Sequence, residues 1–218
     1  MRWVVEFYRS TIGKKVVMAL TGVVLVGYVV VHVLGNLLVF RGPEAINSYA
    51  ELLKSSTLLV WSVRAILLVS VVLHIHSAWS LTRLGLAARP AGYQRSVRQS
   101  STWSARSMRV GGVILLVFVV FHLLHFTTGT VHPAFSPLDV YNNVLIGFGI
   151  PWVVGFYLVA MIALGLHLHH GVWSAFQTLG LNHPRLNGPR RVLATLLALA
   201  VAGGFISIPL AIAFGLLP

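Results

Sequence analysis

The sequence contains no cysteine and only four acidic residues among its 218 residues. Without cysteine the chain cannot form a disulfide, a thiolate-ligated iron–sulfur cluster or a covalently attached c-type haem, which needs a Cys-x-x-Cys-His motif. Charged residues make up 9% of the chain and hydrophobic residues 57%, against roughly 25% and 45–50% in soluble domains. This composition excludes a soluble globular domain, and any metal must be held by histidine, carboxylate or backbone groups.

Five apolar stretches are long enough to cross the apolar core of a bilayer, which is about 30 Å thick and takes about 20 helical residues. They predict an all-α integral membrane protein with a single transmembrane domain over residues 1–218. The first stretch is too long for a signal-peptide core and no small-residue cleavage site follows it, so we expect it to be retained. The predicted spans are residues 16–40, 58–84, 110–130, 151–179 and 192–217.

The basic residues predict the orientation of the chain. All sixteen lysines and arginines, except Arg41, Lys54 and Arg64, fall on the side of the N-terminus. Because cytoplasmic loops carry an excess of Lys and Arg, we expect a cytoplasmic N-terminus and a C-terminus on the outer side of a bacterial-type cell membrane. The basic residues of the loop at 85–107 are explained by this orientation of the chain. The loop is alternatively a docking surface for a soluble partner, and the two interpretations are compatible.

Eight of the ten histidines lie inside the apolar spans, with at least one on each of the first four spans and none on the fifth. Ionisable groups at membrane depth are rare and usually face the bundle interior with a functional partner. A single buried histidine is as often a helix-packing donor, but eight together indicate a shared site. They are His32, His74, His76, His122, His125, His167, His169 and His170.

An internal repeat sorts these histidines into pairs. Residues 22–32 read GVVLVGYVVVH and residues 112–122 read GVILLVFVVFH, which aligns His32 with His122. The later segments LHIH at 73–76 and LHLH at 166–169 align His74 with His167. At a helical rise of 1.5 Å per residue, His32 and His122 lie about 25 and 20 Å from the inner edge, and His74 about 14 Å. The four histidines are therefore expected at two levels, two at each.

Two facing imidazoles at one level suit a six-coordinate haem, because neutral imidazole ligates iron and helix bundles hold cofactors between facing helices. With both axial positions filled, such a haem passes electrons and does not bind oxygen. Zinc would need three or four ligands at one point, whereas this arrangement offers two at each level. A proton relay through buried histidines would not require the two members of a pair to lie at the same depth. The first four helices are thus predicted to form a haem-binding bundle. His125 and His170, one turn from His122 and His167, are the nearest alternative ligands.

Several motifs resemble the dihaem cytochrome b membrane-anchor subunits of succinate dehydrogenase and fumarate reductase. The likeness covers nearly the whole chain. The motifs are STIGKK at 10–15, MALTG at 18–22, H-x-x-G-N-L at 32–37, F-x-G at 40–42, N-x-Y-A at 47–50, the segment 112–122 and H-x-x-x-G-x-W-S at 167–174.

The resemblance implies two b haems, an inner one held by His74 and His167 and a distal one held by His32 and His122. His76, His125, His169 and His170 do not match the ligand positions of the family. The resemblance also implies an iron–sulfur subunit and an FAD flavoprotein docked on the cytoplasmic side, and a quinone, menaquinone, as the electron acceptor. The complex is a candidate homo-oligomer.

Other polar residues are candidates for supporting roles. The haem propionates need cationic or hydrogen-bonding partners, and Lys14, Arg83, Arg106 and Arg109 are placed for the inner haem, although each is equally explained as an interfacial anchor. The outer segment 43–54 is expected to form an amphipathic surface helix. Its residues Glu44 and Glu51 are candidates for quinone protonation, with a solvated charge as the alternative. The fifth span is expected to be a packing helix that faces lipid or a neighbouring copy.

The chain has neither cysteine nor a flavin or nucleotide motif, so it cannot oxidise succinate itself and must receive electrons from a partner. The expected function is electron transfer from an iron–sulfur subunit through two haems to a quinone. Two alternatives remain. One is the cytochrome b subunit of another quinone-linked enzyme, such as a hydrogenase or formate dehydrogenase, and the other is a haem-free, histidine-lined transporter.

Overall fold

The computed structural model describes residues 2–88 and 103–217. The described residues form helices, turns and loops without a β-strand, which confirms the all-α fold class. Arg89, Arg95 and Arg98, in the basic loop, lie outside the described residues.

Five helices are long and apolar enough to cross a membrane, as predicted. The first of them, α2, is prolonged by a 3-10 turn at Leu37–Arg41. The five are α2 (Thr11–Asn36), α4 (Thr57–Ala87), α5 (Trp103–Phe126), α7 (Pro151–Thr178) and α8 (Pro184–Ala213). This is the architecture of a multi-pass membrane protein.

Three short helices complete the fold. They are α1 (Arg2–Arg9), α3 (Pro43–Lys54) and α6 (Val140–Phe148). The sequence predicts α3, which begins at a proline that suits a first helical turn. It does not predict α1 or α6, because each is too short to show a helical period clearly. The start of α6 nevertheless carries a capping signal, since the side chain of Asp139 accepts a hydrogen bond from the backbone N–H of Asn142.

Helix α8 begins earlier than expected. Pro184 occupies its first turn, and the ring of His183 accepts a hydrogen bond from the backbone N–H of Arg185, 3.2 Å away. Pro189 therefore lies inside the helix, whereas the predicted span begins only at residue 192. Beyond the first turn, a proline removes one backbone hydrogen bond and its ring crowds the carbonyl four residues earlier, here that of Arg185. The guanidinium of the buried Arg190 donates hydrogen bonds to the carbonyl oxygens of Leu186 and Leu181.

Helices α2 and α7 form the centre of the molecule. Helix α4 packs on α2, α5 packs on α7, and α8 packs on both central helices. The contact between α8 and α2 is close, because a Cβ added at Gly204 would lie 2.7 Å from Cγ2 of Val33. The fifth span is therefore a packing helix, as expected, but it lies against the centre of the bundle. Helices α4 and α5 are much less enclosed by the rest of the protein. In the most apolar 18-residue stretch of each helix, only 6% of the residues are buried.

The outer end of the bundle holds the largest hydrophobic cluster. There α6 and the residues after α2 pack against the start of α7. Tyr49 of α3 lies on Gly35 of α2, where an added Cβ would be 2.5 Å from the tyrosine ring. This cluster closes the bundle above the outer histidines. Its buried members are Val39, Ile46, Tyr141, Val144, Phe148, Val153, Val154, Tyr157 and Ile208.

Candidate functional site

The outer pair of histidines joins α2 to α5. The ring centroids of His32 and His122 are 5.9 Å apart. Each ring is stacked by an aromatic side chain one turn earlier on its own helix, His32 by Tyr28 at 5.4 Å and His122 by Phe118 at 5.5 Å. Tyr28 and Phe118 occupy equivalent positions in the repeat, so the repeated sequence has produced a repeated local structure.

The inner pair joins α4 to α7. The ring centroids of His74 and His167 are 6.2 Å apart. Nδ1 of His74 lies 3.0 Å from the carbonyl oxygen of Met18, which can only accept, so this nitrogen carries the proton and donates it. Nδ1 of His167 is buried and has no hydrogen-bond partner among the described residues. The structure thus brings together both pairs that the repeat aligned.

The two pairs lie at different depths. On α7, Tyr157 contacts His122 of the outer pair and is ten residues before His167, a rise of about 15 Å. On α2, Thr21 lies beside His74 of the inner pair and is eleven residues before His32, a rise of about 16 Å. The residue counts along α7 and along α2 therefore give the same distance between the two histidine levels. It equals about half the apolar thickness of a bilayer.

The geometry of both pairs fits two axial ligands on one iron. Imidazole nitrogens bind a transition metal at about 2.0–2.1 Å, as they do for zinc, so two rings on opposite sides of one ion have centroids roughly 6 Å apart. His74 and His122 use Nδ1 for hydrogen bonds, which leaves Nε2 for a metal. No group of three or more His, Cys, Asp or Glu side chains converges within residues 2–88 and 103–217. Two donors per level suit a haem, whose porphyrin supplies the other four.

The remaining intramembrane histidines have other surroundings. His76 lies 2.5 Å from the hydroxyl of Tyr8 on α1, and His169 lies 3.1 Å from the hydroxyl of Ser104 on α5. Both project away from the neighbouring members of the inner pair. His125 is only 1% exposed and lies beside His132, with ring centroids 5.0 Å apart. His170 is half-buried.

The basic residues that the sequence assigns to the inner haem lie at the inner ends of the helices. The buried ammonium of Lys14 donates to the carbonyl of Arg9, 2.7 Å away, at the junction of α1 and α2. Arg106 lies over the ring of Trp103. Arg83 and Arg109 are exposed. The structure therefore shows an anchoring contact for Lys14 and for Arg106.

Glu44 and Glu51 lie on the outer surface. Both are exposed and line a pocket of about 270 Å³ together with residues of α3 and Leu138. Lys54, in the same pocket, donates to the carbonyl oxygen of Pro137. Nearby, hydrogen bonds from the side chain and backbone of Asn142 hold the pKa of Asp139 below its usual value. The pocket is a recess at the end of the bundle opposite the N-terminus, and charged and apolar side chains both line it.

Two polar residues near the site are missed by the sequence analysis. Tyr157 lies in an apolar run of α7 and places its hydroxyl between His122 and His125. Arg190 is 5% exposed and donates to Asn182 of the loop between α7 and α8 and to Asn187 in the first turn of α8. The one sequence signal for Tyr157 is its position deep within a span, because a buried tyrosine hydroxyl usually needs a hydrogen-bond partner.

The chain is similar to a curated protein. That protein is the succinate dehydrogenase cytochrome b558 subunit of Bacillus subtilis (strain 168), 29% identical over 164 residues, which are 75% of this chain and 77% of the relative. No protein-family model matches the chain, and no solved structure matches it. Five apolar helices and a similarity over three quarters of the chain together confirm its resemblance to the cytochrome b membrane-anchor subunits of succinate dehydrogenase.

Proposed function

We propose that this chain is the cytochrome b membrane anchor of a succinate:quinone oxidoreductase. It receives electrons from an iron–sulfur subunit and passes them through two bis-histidine b haems to a quinone, menaquinone. The proposal rests on the two pairs of histidines, which lie at two depths of one bundle. Within each pair the ring centroids are 5.9 and 6.2 Å apart, respectively. The relative's printed name, a succinate dehydrogenase cytochrome b558 subunit, supports the choice of enzyme.

The chain's own residues hold the cofactors and exclude water. His74 and His167 are the ligands of the inner haem, and His32 and His122 those of the outer haem. The hydrogen bond from His74 to the Met18 carbonyl fixes the tautomer in which Nε2 is free to bind, and it raises the basicity of that nitrogen. Each haem supplies a one-electron carrier when bound. Two histidines on one haem would leave no position for oxygen, so the bound group would supply electron transfer alone.

The partners follow from what the chain lacks. It has no cysteine for iron–sulfur clusters, so it must receive electrons from another subunit, and the resemblance to succinate dehydrogenase anchors implies that the partners are an iron–sulfur subunit and an FAD flavoprotein on the cytoplasmic face. The excess of basic residues on the N-terminal side supports a cytoplasmic location for that face, with the C-terminus outside. We assign Lys14, Arg83, Arg106 and Arg109 as candidate partners of the inner propionates, and Glu44 and Glu51 as candidates for protonating a quinone at the outer surface.

The experiment that tests this function is a reduced-minus-oxidised visible spectrum of the purified complex, combined with haem quantitation per copy of this chain. We expect two low-spin b haems per chain that do not bind carbon monoxide. One haem, or a high-spin haem open to carbon monoxide, would contradict the paired-ligand scheme. A complex with no haem would instead favour a histidine-lined transporter, and co-purification of a hydrogenase or formate dehydrogenase would identify a different enzyme.

A further inference from the structure

The side chain of Tyr157 connects the outer histidine pair to a histidine outside it. Its hydroxyl oxygen lies 3.2 Å from Nδ1 of His122 and 3.1 Å from Nδ1 of His125. The side chain is 6% exposed, and its ring is held edge-on by Phe118 and Phe148 at centroid distances of 5.0 and 4.9 Å. One hydroxyl group therefore serves two imidazoles in a water-poor region.

A single hydroxyl proton can be given to only one of the two rings. If His122 binds iron through Nε2, its Nδ1 must carry the other proton and donate it to the tyrosine oxygen. The hydroxyl proton then points to Nδ1 of His125, which must be an unprotonated acceptor. The proton of His125 is thereby placed on Nε2, a buried atom without a hydrogen-bond partner in the described part of the chain.

We propose that Tyr157 is a positioning residue for His122, and that His125 keeps the tyrosine proton turned away from the ligand. This inference rests on the proposed function. Tyr157 does at the outer level what the Met18 carbonyl does for His74 at the inner level, since each accepts a hydrogen bond from Nδ1 of a ligand. Such a bond orients the ring and strengthens the nitrogen that binds iron. Tyr157 is a side chain, so its contribution can be removed by substitution.

The test is a redox titration of the purified complex that carries Tyr157→Phe. We expect both haems to remain, the midpoint potential of the outer haem to rise and that of the inner haem to stay unchanged. The potential rises because a ligand without its hydrogen-bond acceptor is a weaker donor and stabilises oxidised iron less. The low-spin electron paramagnetic resonance signal of the outer haem should shift as well.

Tyr28→Phe is the matched control. It removes the same hydroxyl group from a ring that stacks on His32, the other outer ligand. None of the hydrogen bonds of the described residues joins the hydroxyl of Tyr28 to that imidazole. We therefore expect both haem potentials to be unchanged in this variant. An equal rise in Tyr28→Phe and Tyr157→Phe would overturn the inference, because it would indicate a general effect of polarity.

A second pair of variants covers the case in which Tyr157→Phe does not assemble. His125→Leu removes the acceptor of the tyrosine proton, which can then turn toward His122, and the outer potential should rise. His125→Gln keeps an acceptor and should restore the original value. Identical potentials in these two variants would overturn the inference, as would an unchanged outer haem in Tyr157→Phe. Absence of b haems from the unmodified complex would refute the proposed function, which is a separate outcome.

Discussion

Histidines of the same sequence environment differ in what their ring nitrogens contact. His74 and His76 are two residues apart on α4, and this spacing rotates their side chains by about 200° around the helix. His74 faces His167 across the bundle, whereas His76 contacts Tyr8 on α1. The same contrast separates His167 from His169, which contacts Ser104. Apolar surroundings alone therefore do not separate the paired histidines from the others, but the direction of the side chain does.

Replacement of His167 by alanine should remove the inner haem, because the remaining His74 leaves the iron without its second axial ligand. Electron transfer from the iron–sulfur partner to the quinone should be lost with it. His169→Ala is the matched control, and we expect it to retain both haems. Difference spectra and haem quantitation on the two purified variants check the prediction. Loss of a haem in His169→Ala alone would show that the ligand on α7 is assigned to the wrong position.

The sequence predicts the pairing of the histidines correctly, but it does not predict the polar side chains that surround them. The repeat aligns His32 with His122 and His74 with His167, and both pairs lie within 6.2 Å in the structure. The hydroxyl of Tyr157 and the guanidinium of Arg190 escape prediction, because their partners depend on how α7 packs against α5 and on the path of the loop before α8. Periodicity carries no information about either.

At the scale of helices, two adjacent glycines of α8 have different surroundings. A Cβ at Gly204 would lie 2.7 Å from Cγ2 of Val33 on α2, whereas a Cβ at Gly203 would meet nothing within 4 Å. Gly204→Ala should therefore push α8 away from α2 and destabilise the bundle by about 1–3 kcal/mol, the usual cost of overpacking. Gly203→Ala should be neutral or stabilise by up to about 1 kcal/mol, since alanine favours helix.

Thermal unfolding of the two variants in detergent, followed by the loss of helical circular dichroism, measures the difference. The two substitutions add the same methyl group at neighbouring positions of one helix. A lower midpoint for Gly203→Ala than for Gly204→Ala would contradict the close packing of α8 on α2.

Helix α6 depends on its cap at Asp139, which accepts hydrogen bonds from the backbone and side chain of Asn142. Asp139→Ala should destabilise the outer end by about 1 kcal/mol, whereas Asp139→Asn should retain most of the cap. Because these bonds lower the pKa of Asp139 in the folded chain, its contribution is present above the unfolded pKa of about 3.9. It is lost as the pH falls through the lowered value.

Amide hydrogen exchange of α6, measured in detergent, reports this local stability. We expect faster exchange in Asp139→Ala at neutral pH and a smaller difference from the unmodified protein below pH 4. Equal exchange rates in the alanine and asparagine variants would show that the cap does not hold α6.

The sequence predicts long helices more reliably than short ones or helix ends. The five spans are evident because each extends over many turns of apolar residues. Helices α1 and α6 are short and take their structure from contacts with the rest of the bundle. The start of α8 is hidden by Pro189, which reads as a break although the helix already exists at that point.

For the whole molecule, the two levels of histidines imply a response to the membrane potential. Moving one charge across the full membrane changes its free energy by about 2.3 kcal/mol per 100 mV. Transfer between levels about half the apolar thickness apart then involves about 1 kcal/mol per 100 mV. With the outside positive, electrons are drawn from the inner to the outer level, provided that the quinone takes its protons from outside. An uncoupler should therefore slow electron transfer from succinate to menaquinone in sealed vesicles.

The matched measurement is electron transfer from succinate to a soluble dye at the catalytic partner subunits. That rate should not change with the uncoupler, because no charge crosses the membrane. Equal quinone reduction with and without a potential, in vesicles of known orientation, would indicate that the quinone is reduced near the inner level or that proton movement cancels the charge.

Each histidine pair connects helices that are not packed side by side in the described bundle: α2 with α5, and α4 with α7. A group bound by both members of a pair therefore acts as a diagonal brace, and it secures the sparsely packed α4 and α5. The order of the helices along the chain determines when each pair is completed. During synthesis the outer pair is complete once His122 has been made, whereas the inner pair must wait for His167. The outer brace can thus be set first, and a nascent chain that ends after α5 already carries both of its anchoring points.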